Sequence, residues 1–216
     1  RVVSSLEKVI EPPEQGKDIR LTIDFAIQSF VEDALDGIVQ KFDPAGATIV
    51  VMQPETGEIL ALANRPVYDC NAAGASSPAN RRNRALTDLF EPGSVFKIVT
   101  AAACVEEKKV RPGEMINCER GRWYVRSHWL HDSHGYGALT VEDVIIKSSN
   151  IGTVKLAMRL GEETLYRYCR LFGFGTVTGM DLPGEIPGIL RPLDRWSDYS
   201  ITAIPIGQEV GITSLQ

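Results

Sequence analysis

The stretch Asn83-Arg84-Ala85-Leu86-Thr87-Asp88-Leu89-Phe90-Glu91-Pro92-Gly93-Ser94-Val95-Phe96-Lys97 decides how the rest of the chain is read. Pro92-Gly93 opens an apolar run, Ser94 to Val105, that reads as a helix with Ser94 and Lys97 at its start. Residues at i and i+3 share a helical face, so the Lys97 amine can lie against the Ser94 hydroxyl. Serine is a weak nucleophile until a neighbouring base takes its proton. Lysine becomes that base when desolvation or nearby positive charge lowers its pKa. A serine in the first turn also sits at the positive end of the helix dipole, where its amide can donate to an oxyanion. The competing reading is a helix-cap serine. Ser-x-x-Lys alone is weakly specific: Ser5-Leu6-Glu7-Lys8 repeats it, but without the Pro-Gly start, and reads as a solvated helix face.

Further along, Ser148-Ser149-Asn150 falls at the junction of two helices. There a hydroxyl can pass a proton and a carboxamide can hold a substrate amide, although a helix end followed by a cap gives the same residues. Around these segments the elements follow from pattern. Asp24 caps a helix with apolar positions Ile27, Phe30, Val31, Ala34, Leu35 and Ile38. Ala47–Gln53 and Glu58–Asn64 are short apolar runs joined by Pro54-Glu55-Thr56-Gly57, which is hairpin chemistry. Residues 65–83 read as a long loop and 111–138 as irregular. Thr140 caps a helix, with Asp143 at its third position, that stops near Ser148. Helices follow at about Gly152–Leu160 and at Glu162–Phe172, the second closed by Gly173 and Gly175. Met180–Pro192 reads as a loop, and Ile204–Gln216 carries too little pattern to place. Helix, hairpin, then many helices predicts an α+β class with an antiparallel sheet.

Composition agrees with a globular domain: 216 residues, 44% apolar, 24% charged. A net charge of −5 argues against nucleic acid as a partner, because phosphate neutralisation needs clustered Lys and Arg. No run approaches the roughly 18 apolar residues of a membrane span, and Arg1–Glu11 lacks an apolar signal core, so an anchor or export signal is expected outside this sequence. Cys70, Cys104, Cys118 and Cys169 show no paired spacing and read as unrelated thiols, two of them buried in helices, with two disulfides as the alternative in an oxidising compartment. His128, His131 and His134 would share a helical face as metal ligands, but Asp132, Ser133 and Gly135 disfavour a helix, so loop or cleft-wall histidines are preferred. Trp123, Tyr124 and Trp129 could stack on a glycan; packing of a long loop is the preferred role.

The stretch Asn83–Lys97 resembles the nucleophile segment of the class B penicillin-binding proteins, the D,D-transpeptidases that cross-link peptidoglycan. Lys147-Ser148-Ser149-Asn150-Ile151-Gly152 resembles their second motif, and the hairpin through Pro54-Glu55-Thr56-Gly57-Glu58-Ile59-Leu60-Ala61 resembles the strands that begin their transpeptidase domain. Gly207-Gln208-Glu209 and Thr213-Ser214-Leu215-Gln216 resemble the stretch before their last strands. The Glu-Pro-Gly-Ser context is closer to the division and sporulation branch than to the elongation branch. The resemblance implies a fold shared with serine β-lactamases, helices on an antiparallel sheet, over residues 18–216, with residues 1–17 the end of an N-terminal pedestal and its linker.

It also implies roles. Ser94 would attack the D-Ala–D-Ala carbonyl and form an acyl-enzyme; Lys97 would be its general base. Ser148 would relay a proton, and Asn150 would bind the substrate's peptide amide. An acceptor amine from a neighbouring stem peptide would release the acyl group, and a β-lactam would leave a long-lived ester on Ser94. No cofactor or metal is implied. The implied partners are peptidoglycan stem peptides, β-lactams and other cell-wall synthesis or division proteins. The implied location is the outer face of the cytoplasmic membrane.

The family's third motif, Lys-Thr-Gly or Lys-Ser-Gly, does not occur here. The expectation is therefore a domain cut short before that strand, with an incomplete sheet, weak or absent acylation of this fragment, and self-association through an exposed edge. Two rivals share the nucleophile motif. A serine β-lactamase needs a carboxylate to activate water, and Glu162-Glu163-Thr164-Leu165-Tyr166 is the only approximation. A β-lactam sensor domain would bind without turnover.

Overall fold

The computed structural model describes residues 15–216; the Ser5–Lys8 pair and most of the expected pedestal segment lie outside them. Helix α1 (Phe25–Phe42) begins where the Asp24 carboxylate accepts from Ile27 N at 3.0 Å. It lies across an antiparallel hairpin of β1 (Ala47–Met52) and β2 (Ile59–Arg65), paired from Ala47↔Arg65 to Met52↔Ile59. The face of β2 toward α1 carries Ala61, Ala63 and Arg65, while Ile59, beyond a bulge, packs with Leu86 and Leu215. The two alanines leave room for Val31 and Leu35 of α1, and the Arg65 guanidinium bonds Glu32 at 2.6 Å and Asp36 at 2.8 Å. The helix buries a narrower stripe among the described residues than its pattern predicts: Val31 and Leu35 are buried, whereas Phe30, Ala34 and Ile38 face outward. The outer edge of β2 is closed by Asp24 N on Leu60 O and by the Gln28 carboxamide on both backbone groups of Leu62. The outer edge of β1 has no strand beside it among the described residues.

The second core is helical. After α2 (Arg84–Thr87), α3 (Lys97–Glu106) packs against α5 (Asn150–Leu160) and α6 (Glu162–Leu171), with Val99, Ala103, Leu156, Leu160 and Leu165 at the contact. Cys104 and Cys169 are buried in α3 and α6, as expected, and all four cysteines carry free thiols. Burial pushes the Cys104 thiol up to about 11 and that of Cys169 up to about 12. Helix α4 (Val141–Ile146) starts at Thr140, whose hydroxyl accepts from Asp143 N at 3.0 Å. Losing that cap costs about 1 kcal/mol, so Thr140→Ala is expected to lower the unfolding free energy by that amount, seen as a lower denaturant midpoint at an unchanged slope; an unaltered midpoint would show the cap contributes nothing.

The region read as irregular is instead two antiparallel pairs. β3 (Met115–Asn117) joins β6 (Ala138–Thr140), and β4 (Arg122–Val125) joins β5 (His128–His131). The β4–β5 turn is Arg126-Ser127 with φ of 48° and 65°, both in the left-handed region. Such turns usually announce themselves by Asn-Gly or Asp-Gly, and neither stands here. Trp123 packs into the core between this hairpin and α5, while Tyr124 and Trp129 are exposed on its outer face, so only the first does the packing expected of all three. His128 and His131 lie on opposite faces of a strand. His128 meets Tyr199 edge to face, and no group of metal-ligating side chains forms among the described residues. Beyond α6 come β7 (Ile189–Leu190), α7 (Ser200–Ala203) and β8 (Val210–Gly211), with β7 and β8 paired antiparallel. The architecture is α+β, built from helices and small antiparallel sheets.

Candidate active site

Gly93–Phe96 forms a single 3₁₀ turn, not the first turn of the α-helix, which begins only at Lys97. In a 3₁₀ turn side chains at i and i+3 eclipse, so Ser94 and Lys97 share one face. Ser94 is exposed, and Lys97 is 2% exposed. The turn is held from the C-terminal segment: Phe90 and Ile212 exchange backbone hydrogen bonds at 3.0 Å, Gly93 N donates to Gly207 O at 3.0 Å, and Glu209 N donates to a Glu91 carboxylate oxygen at 2.9 Å.

The Lys97 amine donates to Ser148 O at 2.7 Å, Ser148 Oγ at 2.8 Å and Asn150 Oδ1 at 2.7 Å. Three acceptors match the three N–H bonds of an ammonium. Burial works against that charge and lowers the Lys97 pKa to about 8, with the nearby Asp132 carboxylate partly opposing the shift. No hydrogen bond joins Lys97 to Ser94 among the described residues; the amine is held by the second motif, one turn along from the serine.

That motif is a bend between α4 and α5. Ser148 has φ 54°, a left-handed conformation that costs a non-glycine residue about 1 kcal/mol or more. It lets the Ser148 carbonyl and hydroxyl reach the same amine. Ser149 is fully buried and caps α5 by accepting from Gly152 N at 2.9 Å. Asn150 donates from Nδ2 to His131 O at 2.9 Å. Two residues given no site role by the sequence, Ser149 and Asp132, belong here: Ser149 Oγ donates to Asp132 Oδ2 at 2.7 Å, and Ile151 N donates to Asp132 Oδ1 at 3.0 Å. No local spacing links Asp132 to the bend; only the fold brings them together. Glu162 and Glu163 lie elsewhere, opening α6 and lining a groove with Arg126 and Ile201 that contains none of the four candidate residues.

The fold that positions these parts is shared with known proteins. The family model for the penicillin binding protein transpeptidase domain matches residues 47–216. The chain belongs to that family. It is 38% identical over 214 residues to stage V sporulation protein D of Bacillus subtilis, covering 95% of this chain and 32% of the relative. It is 33% identical over 209 residues to a probable peptidoglycan D,D-transpeptidase, PbpC, of Pseudomonas aeruginosa, covering 97% of this chain and 37% of that one. Among solved structures, penicillin binding protein 3 of Mycobacterium tuberculosis in complex with aztreonam superposes with a TM-score of 0.82 at 35% identity, covering 90% of this chain and 44% of the other. The transpeptidase domain of Burkholderia pseudomallei penicillin-binding protein 3 gives 0.81 at 31%, covering 94% and 57%. The chain thus spans about a third of the length of the curated relatives it matches. No helix among the described residues is long and apolar enough to cross a membrane.

Proposed function

We propose that the protein containing this chain is a peptidoglycan D,D-transpeptidase of the division and sporulation branch, acylated by β-lactams at Ser94. The observation that carries the reading is the buried Lys97 amine, bound to three oxygens of Ser148 and Asn150 and one turn from an exposed serine. In this reading Ser94 Oγ attacks the carbonyl of the penultimate D-Ala and its proton passes to neutral Lys97. With a pKa of about 8, roughly a tenth of the amine is neutral at pH 7. Losing a proton removes one of the three donors and exposes a lone pair that can turn toward Ser94. Ser148 Oγ, already bonded to the amine, carries the proton on to the departing D-Ala nitrogen. Asn150 aligns the donor peptide through its carboxamide. The amine of a second stem peptide then attacks the ester, forming the cross-link and freeing Ser94.

Residues 18–216 belong in this proposal to the transpeptidase domain and residues 1–17 to the end of an N-terminal region. The protein acts on the outer face of the cytoplasmic membrane, held by an anchor N-terminal to this chain, alongside other cell-wall synthesis or division proteins. The open β1 edge is the site for self-association of the isolated chain.

The test is labelling of the full-length protein with a fluorescent penicillin, followed by peptide mapping. A stable stoichiometric adduct at Ser94, together with transfer of a synthetic stem peptide to an acceptor amine, is the expected result. Steady penicillin turnover would instead make the protein a β-lactamase. A stable adduct without transfer would make it a sensor, and no adduct would overturn acyl transfer altogether.

A further inference from the structure

We infer that Asp132 is a positioning residue for the acylation reaction: it holds the bend at Ser148–Asn150 in the shape that offers three oxygens to Lys97. The inference rests on the transpeptidase reading and adds a residue to it. Asp132 follows directly on β5 and is itself anchored by donating its backbone N–H to Gly121 O at 3.0 Å. Its carboxylate takes Ser149 Oγ on one oxygen and Ile151 N on the other, at 2.7 and 3.0 Å. The preceding residue, His131, takes the Asn150 carboxamide on its carbonyl. Two consecutive residues of one hairpin therefore clamp three consecutive residues of the bend.

The clamp has work to oppose. Ser148 is strained at φ 54°, and the end of α4 reaches the bend only through Ser148 N on Ile145 O at 3.1 Å and Ser149 N on Val144 O at 2.9 Å. Neither bond fixes where Asn150 points. Among the first N–H groups of α5, Gly152 N is satisfied by Ser149 Oγ within the bend, whereas Ile151 N is satisfied from outside both helices, by Asp132. A carboxylate at the N-terminus of this eleven-residue helix also meets the positive end of its dipole. Without it the bend is free to relax, and the Ser148 and Asn150 oxygens leave the amine.

The same carboxylate favours the charged form of Lys97. The other groups near Asp132 are the buried Cys118 thiol, 3.4 Å from Ser149 Oγ, the Lys155–Glu119 ion pair, and the exposed imidazoles of His131 and His134 on either side. Asp132 therefore acts on the reaction twice, by geometry and by charge, and the two are separable.

The experiment measures the second-order rate of fluorescent-penicillin acylation against pH, with the thermal midpoint, for the full-length protein and two variants. Asp132→Asn keeps an oxygen for Ile151 N but removes the charge. Its plateau rate is expected to fall by about tenfold or more, the loss of a charged hydrogen bond, while the acid limb moves to lower pH because Lys97 loses its proton more readily. Ser149→Ala cuts the link between bend and carboxylate but leaves the charge. Its plateau falls while the limb stays in place. A variant Asp132→Asn that matches wild type in plateau and limb would overturn the inference. So would a fall in plateau with an unmoved limb and a fall in midpoint that accounts for it, which would leave Asp132 a brace and nothing more. If Asp132→Asn does not fold, a wild-type plateau for Ser149→Ala overturns the inference by itself. Failure of the wild type to be labelled overturns the transpeptidase reading and takes this inference with it; a labelled wild type beside an unaffected Asp132→Asn defeats the inference alone.

Discussion

Ser94→Ala is expected to abolish the covalent penicillin adduct, and Lys97→Ala to slow its formation by about a thousandfold, within the range for loss of a positioned general base. The wild-type rate should climb with pH and level off above a midpoint near 8, because only the neutral amine accepts the serine proton and burial lowers the Lys97 pKa to about 8. Stopped-flow acylation between pH 6 and 10 measures both. A flat profile, or Lys97→Ala at the wild-type rate, would remove Lys97 from the chemistry.

The same amine carries a signature in stability. Lys97 titrates near 8 when folded and near the ordinary 10.5 when unfolded. Between those values the unfolded chain holds the extra proton, so stability rises with pH across that window; below about 8 both states are charged and the burial cost is present in full. A shift of this size corresponds to roughly 3 kcal/mol. Lys97→Ala should lack that rise, and subtracting the two unfolding curves isolates it from other groups that titrate at alkaline pH. Storing a charged lysine at 2% exposure is a cost the fold bears for a base poised near neutrality.

Legibility in the sequence followed the range of the interaction. The Thr140 and Asp24 caps act within their own first turns and are legible from local spacing; Ser94 with Lys97 and Ser148 with Asn150 are raised as candidates by spacing, but only the family resemblance gives them roles. The contact between Lys97 and Ser148 joins residues far apart in the chain, and only the family resemblance put them in one cleft. Asp132 has no such spacing, and its role depends on where the β4–β5 hairpin ends. That hairpin was itself hidden because Arg126-Ser127 carries a turn with two positive φ values and no glycine or asparagine. The breadth of α1's buried stripe is not legible for a different reason: periodicity identifies the helix, but what packs against it decides which apolar residues are buried.

Gly207→Ala is expected to be the most damaging substitution outside the candidate catalytic residues. Gly207 has φ 77°, and a Cβ there would lie 2.1 Å from Gly93 O and 2.5 Å from Gly93 N. Both are backbone atoms of the turn that carries Ser94, so no side-chain rotation relieves the overlap. Gly93 N must also keep its 3.0 Å bond to Gly207 O, which ties the two segments together at the point of collision. The left-handed conformation alone costs alanine about 1–2 kcal/mol, and the overlap adds about 1–3 kcal/mol. Gly57→Ala separates the two contributions, since Gly57 has φ 76° with nothing within 4 Å of the added carbon. Thermal unfolding of both variants should show a modest loss for Gly57→Ala and a clearly larger one for Gly207→Ala. Protein that remains folded should separate them further: Gly57→Ala acylates at the wild-type rate, whereas Gly207→Ala is slowed because Gly93 and Ser94 must move to admit the methyl group. Equal losses of stability and equal acylation in the two variants would mean that the segment around Gly207 does not hold the nucleophile turn.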